Sequence, residues 1–257
     1  MIKLFIFPIV LIAALALSID PVSAVQTKLI VRAKAYDAKF MGESFGGVLV
    51  IIKDSAGHIL AKGNTIGGSG DTKKIMQTPV VRGSSISDSN TAKFETSINI
   101  EEPTLLTIEA EAPYSIEQSK IKLSTQVWLL PGKDIVGDGI ILEFHGFSVS
   151  IKSPSKDFKV KLSGGKASVP ITAAIFMMCG CHLTPGGIWN SDNYDIEASI
   201  KGSDAKAVKI PIKFSGNPSE FSGLAEFTKA GQYEITVYAY DQATGNTGID
   251  KIKITVY

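Results

Sequence analysis

Ala230-Gly231-Gln232-Tyr233-Glu234-Ile235-Thr236-Val237-Tyr238-Ala239-Tyr240-Asp241 and, after Gly245-Asn246-Thr247-Gly248, Lys251-Ile252-Lys253-Ile254-Thr255-Val256-Tyr257 decide the fold of this chain. In the first run Tyr233, Ile235, Val237 and Ala239 fall on one face; in the second, Ile252, Ile254 and Val256 do. Successive side chains of an extended chain point to opposite faces, so this period of two puts one face on a core and the other in water. Asp, Gly, Asn and Thr between the runs supply the turn chemistry of a hairpin.

Working towards the N-terminus, the same period recurs in Lys28 to Ala35, Val48 to Lys53, Lys93 to Ile100 and Leu105 to Glu111. A second block of strands begins near Gly146 and runs through Lys166 to Met178, Tyr194 to Ile200, Ala207 to Phe214 and Gly223 to Phe227. Asp54-Ser55-Ala56-Gly57 reads as a hairpin turn, and Gly67 to Asp71 and Arg82 to Asn90 as longer mobile loops. No segment carries a helical period with caps at both ends. The expected fold is all-β, two tandem β-sandwich domains over 25–145 and 146–257. The chain has 257 residues, 44% of them hydrophobic, enough for two cores of ordinary domain size.

Residues 1–24 read as a signal peptide. Lys3 gives the positive start, Leu4 to Ile19 the apolar run, and Val22-Ser23-Ala24 the small-residue cleavage site, leaving Val25 first. The run is shorter than the roughly 18 to 20 residues that span a bilayer, and neither end offers a lipid tether. A secreted or periplasmic product without a stable membrane anchor is expected. Lys and Arg number 26 against 25 Asp and Glu, so no basic excess is left to neutralise a nucleic-acid backbone.

From about Phe147 to Tyr257 the chain resembles bacterial immunoglobulin-like or fibronectin-type modules. Tyr233 stands where such domains place a tyrosine whose hydroxyl bonds back to the backbone at the corner before strand F, and Ile235 where antibody domains have the second cysteine of their inter-sheet disulfide. The resemblance implies an immunoglobulin-like sandwich lacking that disulfide. It implies no single activity, because such folds host many.

Met177-Met178-Cys179-Gly180-Cys181-His182, followed by Leu183 to Asp192, holds both cysteines and one of three histidines. The resemblance makes this the loop joining strands B and C, at the end that also carries the F–G loop Asp241 to Asp250 and, in a tandem array, faces the preceding domain. Trp189 and His145, just before the junction, belong to the same neighbourhood. Three chemistries compete for the cysteines. The first is a soft metal site for copper or zinc from Cys179, Cys181, His182 and His145. The second is a disulfide across one glycine, favoured by export and easily reduced because its ring is small. The third is a pair of buried thiols with Met and Trp filling core.

Other patterns carry less. Gly42-Glu43-Ser44-Phe45-Gly46 matches G-x-S-x-G, but a β-branched strand follows where a nucleophile elbow needs a helix. Gly63 to Ser69 has the spacing of a phosphate loop, with Ser69 where its lysine belongs and no helix after it. Asp192, Asp241, Asn246 and Asp250 offer oxygens for calcium, against which stands plain turn chemistry. The expected role is a non-enzymatic binding or structural one, presenting an interdomain loop surface to an unidentified protein or envelope component. The alternative is a periplasmic metal-binding or thiol-redox protein that uses the Cys-Gly-Cys-His loop.

Overall fold

A computed structural model describes residues 23–203 and 206–257. The signal peptide expected over residues 1–24 falls, for residues 1–22, outside the described residues.

The first half contains β1 (Val25–Ala35), β2 (Leu49–Lys53), β3 (Ile59–Asn64), β4 (Phe94–Ile100), β5 (Thr104–Ala112), β6 (Ile121–Leu129) and β7 (Ile135–Phe144). They form a three-stranded sheet ordered β4-β1-β7 and a four-stranded sheet ordered β3-β2-β5-β6. β5 shows how the alternation works: Leu106, Ile108, Ala110 and Ala112 are buried, while Thr107, Glu109 and Glu111 between them are only half-buried. On the outer face Glu109 pairs with Lys53 and Lys122 from the flanking strands. β1 pairs antiparallel with β4 but parallel with β7. A parallel neighbour has to be reached by a long connection, and here the whole other sheet supplies it.

The second half contains β8 (Phe147–Ser153), β9 (Phe158–Val160), β10 (Ala167–Met177), β11 (Tyr194–Gly202), β12 (Val208–Pro211), β13 (Lys213–Phe214), β14 (Glu220–Phe227), β15 (Gly231–Asp241) and β16 (Thr247–Val256). One sheet runs β13-β14-β10-β8 and the facing one β12-β11-β15-β16-β9. Lettered in chain order, these are D-E-B-A opposite C′-C-F-G-A′, the strand order of an immunoglobulin-like sandwich. Tyr233 makes the corner contact, its hydroxyl donating to Lys229 O at 2.9 Å, and Ile235 is fully buried.

Several sequence expectations change. β6 and β7 are full strands that the sequence reading did not separate from their surroundings. β7 is interrupted by Gly137 and Gly139, both at positive φ, which breaks the period of two. The short β9 adds a parallel neighbour to the end of β16, at Ile254 to Val256. Arg82 to Asn90, expected to be mobile, is pinned from beneath. Asp138 accepts hydrogen bonds from Ile86 N at 2.9 Å, Ser87 N at 3.0 Å and the hydroxyls of Ser85 and Ser87. Arg32, 3% exposed, donates to the carbonyls of Thr91 and Ala92.

Asp138 therefore links loop order to pH. Burial alone would raise its pKa, but the bonds from Ser85, Ser87 and Ile86 outweigh that and pull it from 3.8 down to about 2. A carboxyl with a depressed folded pKa stabilises above its unfolded value, and that contribution is lost as pH falls through the folded one. Asp138→Asn should cost about 1–2 kcal/mol at pH 7, a figure already reduced for solvent screening, and the gap between variant and parent should close between pH 4 and about 2. Denaturant melts at stepped pH measure this; a gap that stayed constant would show that the carboxylate charge does not hold the loop.

Candidate functional site

The junction between the two halves is built from loops. β7 ends at Phe144, whose carbonyl accepts from Tyr36 N at 2.8 Å. His145 follows and stacks on the Tyr36 ring with centroids 4.0 Å apart. Gly146 then turns with φ +122°, and a Cβ there would lie 2.4 Å from Thr247 O, so only glycine lets the connecting chain pass this close to β16. The F–G loop locks onto the same place. Asn246, fully buried, accepts from Gly146 N at 2.8 Å through Oδ1 and donates to Tyr36 O at 3.3 Å through Nδ2.

The B–C loop forms the other half of the junction. β10 ends at Met177, and the chain reverses through Met178 to Cys181. Gly180 N donates to Met177 O at 2.8 Å and Met177 N to Cys181 O at 3.1 Å. Beyond it, Leu183 is tied to Ser219 by its own N–H on Oγ and by Ser219 N on its carbonyl. Thr184 N donates to Trp189 O, and Asn190 accepts from Gly186 N and Asp192 N to cap the short 3₁₀ turn Ser191–Asn193. Trp189, 8% exposed, reaches across to the first half and donates from Nε1 to Asp37 O at 3.0 Å. The buried apolar residues of the two halves thus form one connected cluster.

Cys179 and Cys181 are joined as a disulfide, 6% and 8% exposed. In this bonded state neither sulfur is a thiolate that copper or zinc can take. His182 is exposed, its ring 5.2 Å from that of Phe176. His145 lies on the Tyr36 side of the junction and does not line the space around the disulfide. Met177 and Met178 are both fully buried in the core. Among the described residues no group of three or more His, Cys, Asp or Glu is placed to hold a metal ion. Three of the four candidate calcium ligands serve the loops instead: Asp241 accepts from Ala243 N and Thr244 Oγ1, Asp250 from Ile151 N and Lys251 N, and Asn246 from Gly146 N.

The disulfide borders an open cleft of about 570 Å³ between the halves. Lys39, Ser44, Phe45 and Ser69 form one wall; Phe176, the disulfide turn, His182, Thr184, Ile188 and Trp189 form the other. Gly180 sits against Phe45, where a Cβ would come within 2.5 Å of the ring. Phe45 and Phe176 lie 5.2 Å apart, centroid to centroid. Ser44, the serine of the G-x-S-x-G match, is an exposed turn residue before β2. A second opening of about 480 Å³ lies beside it, lined by Asp37, Ile188, Tyr194 and the F–G loop. There burial, then Asp241, raises the pKa of Asp37, and burial with Asp241 and Asp37 pushes the Tyr194 hydroxyl to about 12.

The Phe45 wall and the Asn246 latch had no signal in the sequence. By sequence Phe45 is only the variable residue of a serine motif, and Asn246 a turn residue and candidate calcium ligand. Among the described residues no helix is long and apolar enough to cross a membrane.

No protein-family model matches the sequence, and no curated protein matches it. Solved structures similar to this chain include the fibronectin(III)-like modules of CbhA from Clostridium thermocellum, at 12% identity and a TM-score of 0.27 over 90% of this chain and 94% of that one. The FN1–FN3 domains of chicken CNTN1 give 8% identity and a TM-score of 0.27 over 91% of this chain and 63% of theirs. It is the order of the strands that makes the second half immunoglobulin-like.

Proposed function

We propose that this is an exported binding module, not an enzyme, which presents the cleft between its two halves to a protein or envelope component outside the cytoplasm. The observation that carries this reading is the cleft itself, an open depression walled by Phe45, Phe176 and Ile188 with Lys39 and His182 among them. Apolar walls with a few polar groups are the usual composition of a recognition site. The loops on either side are tied to each other by Trp189 and Asn246, so the walls are preformed and little ordering is required on binding. Export follows from the leader, with its apolar run and its Val22-Ser23-Ala24 site.

A photo-crosslinking residue placed at Ile188 or His182 in cells should give discrete adducts, while the same residue at Lys122 or Lys159, on strands away from the cleft, should not. Equal labelling from both sets, or none from the cleft, would remove the cleft from consideration. The labelled chain should be recovered from the exported fraction with a mass that begins at Val25, and an intact leader on an internal chain would count against export.

A further inference from the structure

We infer that the Cys179–Cys181 disulfide is a thiol–disulfide exchange site that takes two electrons from an external dithiol, such as a reduced cysteine pair on another exported protein. The bond spans a sequence separation of two. Cross-links restrain the unfolded chain less as the closed loop shortens, so this one does little as a staple. The turn is also fixed without it, by the bonds between Met177, Gly180 and Cys181 and by the clamp of Leu183 on Ser219. A ring closed across a single residue gains more from opening than a long one, which favours the reduced form.

The surroundings suit exchange. Both cysteines border the open cleft, and Phe45 closes the Gly180 side, so an incoming thiolate arrives from the cleft. Lys39 lines the same space, and a positive group near sulfur favours the thiolate that has to leave. The step balances within the two reactants. A thiolate of the dithiol attacks one cysteine sulfur, forming a mixed disulfide and expelling the other cysteine as thiolate. The second thiol of the dithiol, after losing its proton to solvent, then attacks its own sulfur in the mixed disulfide. The partner leaves oxidised, and Cys179 and Cys181 are left reduced, taking up protons from solvent.

This site shares the cleft with the binding reading, but its readout is the oxidation state of two sulfurs and needs no native partner, so either can fail alone. The mature full-length chain is equilibrated in mixtures of reduced and oxidised glutathione without denaturant, alkylated and weighed. Two alkyl groups should appear in folded chain, with its circular dichroism unchanged, in mixtures where ordinary structural disulfides stay closed. Substoichiometric chain should then speed oxidation of a dithiol peptide by oxidised glutathione by at least about tenfold, and Cys179→Ser should abolish that. Sulfurs that open only once the chain unfolds, or a reduced chain that leaves the peptide's oxidation rate unchanged, would overturn the assignment.

Discussion

Trp189→Ala should destabilise the protein by about 3–5 kcal/mol, the usual cost of truncating a buried aromatic to alanine. The indole is 8% exposed and belongs to the connected core, although it comes from a loop and not from a strand. Its Nε1 also donates to Asp37 O across the junction. Trp189→Phe separates the two contributions: it keeps most of the apolar area, drops the hydrogen bond, and should cost about 1–2 kcal/mol, since Asp37 is exposed and water can take the carbonyl. Urea unfolding followed by far-ultraviolet circular dichroism measures both. A loss below 1 kcal/mol for the alanine variant would mean that the B–C loop does not share the core.

Asn246→Ala should cost about 2–3 kcal/mol for a different reason. Its side chain is fully buried and accepts the N–H of Gly146, itself buried, while donating to Tyr36 O. Alanine leaves an amide N–H without a partner in a place that water does not reach, and that penalty exceeds the value of the bond itself. Asn246→Asp keeps an acceptor for Gly146 but places a charge in the same spot and loses the donor to Tyr36. Burial raises the folded pKa of such a carboxyl, so its stability is greatest below the unfolded value near 4 and falls as pH rises through the folded one. Melting at pH 3.5 and at pH 7 should show the aspartate variant losing stability with rising pH relative to the parent. Indifference to pH would show that the side chain reaches solvent. Trp189 and Asn246 hold the adjacent residues Asp37 and Tyr36, so the two losses should combine non-additively.

Much of the architecture was legible because it rests on local pattern. The alternation in Leu105 to Glu111 and in Tyr233 to Tyr240 is the direct trace of one face buried and one face wet. Tyr233 announced its corner hydrogen bond through a spacing that the sandwich geometry imposes. The cysteines were legible as a close pair, since a single glycine separates them. β7 was missed because Gly137 and Gly139 interrupt its period. β9 was missed because three residues are too few to show one.

By itself the sequence determined the all-β class, the immunoglobulin-like second half and the loop that carries both cysteines, all of them consequences of side chains near one another along the chain. Only the tertiary structure decided that Phe45 faces Gly180, that Asn246 reaches back 210 residues to Tyr36, and that Trp189 closes on Asp37. These contacts depend on how two sandwiches dock, and docking is set by shape and by hydrogen bonds between residues far apart in sequence. No local periodicity encodes them.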